Sequence, residues 1–352
     1  MTAAPARVAL LGFGLAGRVF HAPLIAAEPG LELAVIVTRD PARRAQAIAE
    51  HPGAALADDA AQVWERAGEL DLVVVATPNS SHVALAIAAL DEGLAVVVDK
   101  PLAPEAAGAR ALVEHAEHRG GRLTVFQNRR WDGDLLTLSA LLEDGRLGTV
   151  LRFESRFDRW RPQTAGGWRD IEPPGDGGGL LLDLGSHLVD QAVQLFGRPV
   201  RVYGELDMRR AGAAADDDVF VALEHEGGVR SHLGMSALAA QIPPRMRVLG
   251  DAAAFVKFGL DVQEDQLAGG LRPGDPGWGE DPPERWGTVG SDDDAERVAT
   301  ARGEYERFYA GVARALRDGG AMPVDPWDAV RVLEVLDAAR RSAAGGRVVR
   351  LG

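Results

Sequence analysis

The residues best suited to chemistry stand far apart in the chain. Of 38 basic residues only Lys100 and Lys257 are lysine; the rest are arginine. In a chain that writes arginine by default, a retained lysine is a candidate for chemical use. Lys100 follows Val96-Val97-Val98-Asp99 and precedes Pro101. The apolar run reads as a strand buried on both faces, and α/β sheets bind ligands at the C-terminal ends of such strands. An ammonium there can polarise a substrate oxygen or lower the pKa of a neighbouring base. The second candidate is Gly177-Gly178-Gly179-Leu180-Leu181-Leu182-Asp183-Leu184-Gly185-Ser186-His187. Asp183 and His187 are four apart, so one helix over this stretch puts them on a shared face. A carboxylate there orients the imidazole and supports its protonated form, as a general acid/base requires. The competing reading is a solvated amphipathic face that also carries Ser186, Asp190, Gln191 and Gln194. Against it, positions 180–197 hold only two charged residues, Asp183 and Asp190, in a chain that is 26% charged.

A third element would supply a cofactor. Gly12-Phe13-Gly14-Leu15-Ala16-Gly17 matches G-x-G-x-x-G, preceded by a strand-like run and followed by a helical one. In that context the glycines allow a tight turn, close approach of a pyrophosphate and tight helix–strand packing. The helix N-terminus offers free N–H groups to the phosphates. The residues at the end of the second strand select the dinucleotide. They are Thr38 and Arg39, then Asp40-Pro41 and Arg43-Arg44. An arginine pairs with a 2′-phosphate where NAD sites place a carboxylate. Asp40 is better explained as the cap of the next helix. NADP is therefore expected, with NAD the less favoured cofactor; the alternative is that Arg39 is merely solvated. The histidines, His21 and His82 among them, lack ligand spacing, and no metal is expected.

The elements needed to position these groups are legible. Strands at 8–11, 31–38, 72–77, 95–99 and 123–127 alternate with helices at 15–27, from 40–41 onward, 81–92 and 104–119. Such alternation specifies a parallel sheet with right-handed crossovers. After about residue 128 the pattern changes to half-exposed strands at 150–158, 200–207, 219–225, 229–236, 246–249 and 254–258. The expected fold is α/β: an N-terminal Rossmann domain over 1–126, and an α+β domain over 127–352 with a predominantly antiparallel open sheet. Positions 272–294 read as a long surface loop, whose Trp278 and Trp286 either cover the pocket or simply lie on the surface. Two helices close the chain, 304–317 and 325–343, and can pack back on the first domain.

Composition bounds the rest. The 352 residues are 46% hydrophobic, ordinary for a globular chain of two domains. With no cysteine, disulfides, thiolate metal sites and thiol nucleophiles are excluded. A net charge of −14 disfavours nucleic acid. No signal-like or membrane-length apolar run is visible, so a cytoplasmic protein with no membrane or nucleic-acid partner is expected.

This combination resembles the Gfo/Idh/MocA oxidoreductases over essentially the whole chain: the dinucleotide fingerprint, the strand-end Lys-Pro, and Gly-Gly-Gly followed by Asp-Leu-Gly-Ser-His. The segments Phe20-His21-Ala22-Pro23-Leu24, Asn128-Arg129-Arg130-Trp131-Asp132, Phe157-Asp158-Arg159-Trp160-Arg161-Pro162, Trp168-Arg169 and Lys257-Phe258-Gly259-Leu260-Asp261 are similar to a subgroup of NADP-dependent scyllo-inositol 2-dehydrogenases and uncharacterised relatives. The resemblance implies hydride transfer to or from a ring carbon of a cyclic polyol or sugar. The implied catalytic residues are Lys100, Asp183 and His187. The substrate is implied to meet those three and Asn128 and Arg129. The implied cofactor contacts are Gly12, Phe13, Gly14, Ala16, Gly17, Thr38, Arg39, Arg43, Thr77, Pro78, Asn79, His82, Asp99, Lys100, Trp168 and Arg169. Two departures stand out: Asp99 where the family has Glu, and Leu182 where relatives have Tyr. Aldose or glycoside oxidation at C1 or C3 is the other enzymatic reading, and a non-catalytic NAD(P)-binding regulator a third. A homodimer or homotetramer formed through the free sheet face is expected.

Overall fold

The computed structural model describes residues 4–164, 166, 172–173 and 177–352. Its first sheet is formed by β1 (Ala6–Leu11), β2 (Leu31–Val37), β3 (Ala55–Ala57), β4 (Leu72–Val75), β5 (Ala95–Asp99) and β6 (Leu123–Phe126). Their order is β3-β2-β1-β4-β5-β6, with every pairing parallel. Strand order reverses between β1 and β4, and the crevice above that switch point is where dinucleotides bind. All residues of β4 are buried, as a continuous apolar run demands.

The helix expected at 15–27 divides into a π-helical turn, Ala16–His21, and α1 (Ala22–Ala27). Pro23 has no N–H to continue the α-helical ladder, and Ala22 N–H reaches back to Gly17 O instead. α2 (Pro41–Glu50) starts as expected, with the Asp40 side chain accepting from Arg43 N–H. A short α3 (Ala61–Trp64) precedes β4, and α4 (His82–Asp91) and α5 (Ala106–His118) cover one face of the sheet. α6 (Gly133–Glu143), not anticipated from the sequence, leads into β7 (Val150–Asp158).

The second sheet contains, among the described residues, nine strands in the order β14-β13-β12-β11-β7-β10-β9-β8-β15. They are β7, β8 (Pro199–Asp207), β9 (Asp218–His225), β10 (Arg230–Ser236), β11 (Met246–Gly250), β12 (Ala254–Lys257), β13 (Gly287–Gly290), β14 (Glu296–Val298) and β15 (Val349–Arg350). It is predominantly antiparallel, as expected, but not purely so: β7 and β10 pair in parallel. The chain leaves β7 and returns to β8 through α7 (Leu180–Asp183) and α8 (Gly185–Phe196), a helical crossover of the kind that joins parallel strands. The meander β8-β9-β10 then brings β10 beside β7.

Two expectations in this half are corrected. The segment 272–294 is not simply a surface loop: it supplies β13, and Trp278 is buried with its indole N–H on Glu306 at 2.9 Å. Neither Trp278 nor Trp286 lines the site described below. Glycine at both ends of β13 masks its alternation. Lys257, the second lysine, is buried and pairs with Asp281 at 2.9 Å, fastening this segment to β12. A short α9 (Gln263–Ala268) precedes it. The terminal helices are α10 (Glu306–Asp318) and α11 (Pro326–Gly345). α10 packs on the first sheet's other face, through Phe308, Tyr309 and Val312. α11 lies against α5, α8 and β8, so it touches both halves. Thr124 in β6 donates to Val324 O at 2.8 Å, locking the chain's end onto the first sheet. Among the described residues no helix is long and apolar enough to cross a membrane.

Candidate active site

The turn after β1 carries three glycines with three different surroundings. Gly12 has φ +99°, and a Cβ there would lie 2.5 Å from Ala76 O. A Cβ on Gly17 would lie 2.0 Å from Gly12 O. Both are packing glycines. A Cβ on Gly14 would meet only Arg43 Nη1, at 3.9 Å. Gly14 therefore leaves open the space that a pyrophosphate needs, next to an arginine. The Phe13 side chain turns into the core, edge-on to His51, so only its backbone belongs to the turn. Across from it Thr38 is buried, and Arg39 is three-quarters exposed, touching Asp58 O and, at 3.5 Å, Asp59. Asp40 caps α2, its Oδ1 accepting from Arg43 N–H at 2.9 Å. This cradle fits a dinucleotide, with the Arg43 guanidinium beside the open Gly14 position and Arg39 exposed at the end of β2. The contrast is testable. Gly12→Ala and Gly17→Ala should each destabilise the fold by about 2 kcal/mol or more, read by thermal unfolding. Gly14→Ala should leave unfolding nearly unchanged and weaken NADPH binding in a fluorescence titration.

Lys100 ends β5 with its ammonium bonded to Asp183 twice, to Oδ1 at 2.7 Å and to the backbone O at 2.8 Å. The second bond depends on a break in the helix. In a continuous helix His187 N–H would bond Asp183 O; here it bonds Leu184 O at 3.1 Å, and Lys100 takes the vacated carbonyl. Asp183 and His187 thus lie on successive short helices, α7 and α8, and not on one helix face as the spacing suggested. Asp183 does not orient the imidazole through Nδ1, which is buried with no hydrogen-bond partner among the described residues. Burial first, then the Lys100 and Arg129 charges, holds His187 well below its ordinary pKa; Asp183 only partly opposes this. His187 is therefore a neutral imidazole at physiological pH. Ser186, Asp190 and Gln191 are buried too and Gln194 alone of that set is exposed, so the face is solvated only at its far end. Asp190 pairs with Arg130 at 2.6 Å, and Gln191 donates to Arg129 O.

The glycine run positions this helix. Gly177 has φ +101°, and its O accepts from Asn79 Nδ2 at 3.0 Å. Asp216 caps α7, accepting from Leu181 N–H at 2.6 Å, and a Cβ on Gly179 would lie 2.3 Å from its Oδ1. Asn79, expected at the cofactor, thus ties the first sheet to the glycine run. Thr77 is half-buried, its hydroxyl 2.7 Å from Ser81, and Pro78 is exposed. His82 is fully buried, with Nδ1 2.8 Å from Pro101 O and Nε2 2.9 Å from Thr77 O. It joins the ends of β4 and β5 from beneath and reaches no open surface, so its place is a positioning one. Burial lowers its pKa.

These elements enclose a cavity of about 200 Å³ lined by Ala16, Asp99, Lys100, Asn128, Arg129, Asp183 and His187. Residues the sequence reading did not assign to the site line it as well: Phe20, Phe126, Phe157, Arg159, Arg161 and Glu264. Arg129 is buried and held by Glu264 at 2.6 Å. Below Lys100, Asp99 lies 3.5 Å from His21 Nε2, and His21 Nδ1 lies 2.6 Å from Tyr309 OH. Burial works against the Asp99 carboxylate, yet hydrogen bonding with His21 and the His21 and Lys100 charges hold its pKa below the ordinary range. Trp168 and Arg169 lie outside the described residues. Among those described, no group of three potential ligands could hold a metal ion.

A Rossmann sheet whose strand ends meet an ammonium, a carboxylate and an imidazole defines the class of NAD(P)-dependent dehydrogenases. Comparison with known proteins agrees. The model for the oxidoreductase family's NAD-binding Rossmann fold matches residues 6–127, and that for its C-terminal alpha/beta domain matches 139–351. The uncharacterized oxidoreductase YdgJ of Escherichia coli is 41% identical, covering 96% of each chain. The scyllo-inositol 2-dehydrogenase (NADP(+)) IolW of Bacillus subtilis is 32% identical, over 98% of this chain and 96% of its own. The solved structure of YPO2259 from Yersinia pestis is 39% identical, covers 99% of this chain and 98% of that one, and superposes with a TM-score of 0.91. The chain belongs to the Gfo/Idh/MocA oxidoreductase family.

Proposed function

We propose that this protein is an NADP-dependent dehydrogenase acting on a ring hydroxyl, or in reverse a ring ketone, of a cyclic polyol of the scyllo-inositol kind or a sugar. The observation that carries the reading is the convergence of Lys100 and His187 on one cavity at the end of β5, from opposite domains. Residues 1–126 bind the cofactor and residues 127–352 the substrate. When bound, a nicotinamide supplies the hydride acceptor for oxidation and the donor for reduction. The chain supplies the proton and the charge. His187, neutral because it is buried beside two cations, accepts the hydroxyl proton on oxidation and returns it on reduction. Lys100 donates a hydrogen bond to the reacting oxygen and stabilises its negative charge. Asp183 acts on Lys100 rather than on His187, fixing the ammonium with two oxygens. Asn128 and Arg129 line the substrate side. Self-association through the open face of the second sheet belongs to the same proposal.

Calorimetric titration with NADPH and NADH, followed by a turnover screen of inositol isomers against aldoses and glycosides, tests it. Absence of turnover on every polyol and sugar with either cofactor would overturn it in favour of a dinucleotide-binding regulator. The cofactor choice has its own test. Replacing Arg39 and Arg43 with glutamine should weaken NADPH binding by about tenfold to a hundredfold and leave NADH binding within a few-fold. Equal losses for both would show that neither arginine reads the 2′-phosphate.

A further inference from the structure

The inner face of β7 continues past the end of the strand. Phe153, Ser155 and Phe157 are buried at every second position, and the alternation runs on to Arg159 and Arg161, which both line the cavity. Trp160, between them, points outward and is 55% exposed. Backbone hydrogen bonds hold the extension in place. Arg159 N–H donates to Ser236 O at 2.8 Å, Arg161 N–H to Ala237 O at 2.7 Å, and Ala239 N–H to Arg159 O at 3.1 Å. The Arg159 guanidinium carbon lies 4.9 Å from the centre of the Phe157 ring, a stacking that steadies it. Ordered backbone thus aims both guanidiniums.

Among the described residues neither has an ion-pair partner. Lys100 is satisfied by Asp183 and Arg129 by Glu264. Among the described residues no carboxylate comes within ion-pair distance of Arg159 or Arg161. Burial, and next the adjacent Arg161 charge, depresses the Arg159 pKa, which Glu264 and Asp183 only partly offset. In a chain of net charge −14, carboxylates are plentiful, yet none of the described ones is spent on these two arginines. The half-buried Arg159 guanidinium has no ion-pair partner among the described residues, with Arg161 beside it at the exposed edge of the cavity, and a bound anion would answer both charges. Their planar forks match a carboxylate or phosphate with paired hydrogen bonds. A neutral ring would leave the charge uncompensated.

The geometry points to a substrate with an anionic substituent: a ring polyol or sugar whose carboxylate or phosphate is held by Arg159 and Arg161 while a ring hydroxyl faces Lys100 and His187. This rests on the dehydrogenase reading above and narrows it.

The test uses the NADPH-loaded protein with scyllo-inositol, glucose, glucuronate and glucose 6-phosphate. Binding is read by calorimetry; turnover is followed with the matching cofactor. An anionic probe should exceed its neutral counterpart by about tenfold to a hundredfold in binding and in kcat/KM, and whether glucuronate or the phosphate leads identifies the anion. Arg159→Gln should abolish most of that margin, as should Arg161→Gln, a replacement at an exposed position with little bearing on folding. Neutral probes that bind as well as the best anion, no binding by any probe, or a margin that survives both variants would overturn the inference. So would a tenfold loss of NADPH affinity in Arg159→Gln, which would assign the arginine to the cofactor. Anion-selective binding without turnover would leave this inference standing and sink the dehydrogenase reading. Turnover of neutral polyols with no anion preference would do the reverse.

Discussion

Replacing Lys100 with methionine should lower kcat about a thousandfold while NADPH affinity stays within a few-fold of the parent. The size follows from the role. A preorganised donor aimed at a developing oxyanion contributes about 10²–10³ in rate, and this one carries a full charge in a site closed on most sides. Its side chain is 14% exposed and fixed by Asp183 at 2.7 and 2.8 Å, so little reorganisation is needed when the substrate oxygen becomes negative. Methionine keeps the stem's volume and removes the ammonium. Arginine should not restore activity, because its fork is longer and planar and cannot take both Asp183 oxygens from the same point. Thermal unfolding and NADPH titration on the same variants separate lost chemistry from lost structure. A kcat within tenfold of the parent, with both controls normal, would place Lys100 off the reacting oxygen.

His187→Ala should lower turnover by about 10²–10⁴, the usual range for a general acid/base, and should also change the pH profile. An ordinary histidine titrates near 6.5. Burial and the Lys100 and Arg129 charges push His187 well below that. Oxidation needs the unprotonated ring. As pH falls, kcat/KM for oxidation should therefore hold steady through about 6.5 and decline only at more acid values, where the buried ring at last protonates. The variant should lack this acid limb. A limb centred near 6.5 in the parent would mean that a solvated group, and not this imidazole, handles the proton. Because Nδ1 has no hydrogen-bond partner among the described residues, His187→Asn keeps no contact of the ring and should rescue little.

Much of this protein could be read from its residues in order. The alternation of β-branched runs with alanine-rich helices specified the parallel sheet, because a strand buried on both faces must be apolar throughout. The fingerprint at Gly12 to Gly17 fell on the turn after β1, within the segment that matches the NAD-binding Rossmann fold, and the Asp40-Pro41 pair marked a helix start whose cap the structure contains. These features depend on neighbours within a few positions, where period and capping chemistry act. The scarcity of lysine singled out Lys100, which lines the cavity, and equally Lys257, which is spent on an internal ion pair.

What tertiary structure alone decided is which partners meet. Four-residue spacing implied that Asp183 serves His187, but the helix breaks between them and Lys100, 83 positions away, captures the carboxylate and the freed carbonyl together. The parallel pairing of β7 with β10 came from a crossover whose closure no local pattern reveals. Arg159 and Arg161 sat inside a segment noted only for its likeness to relatives. Their alternation with Phe157 was visible, but no local rule says that this face continues into a cavity, nor which of the described acidic residues pair elsewhere. Local sequence sets backbone preference and burial; charge pairing is decided by distance in space, and that distance exists only once both domains have closed around the strand ends.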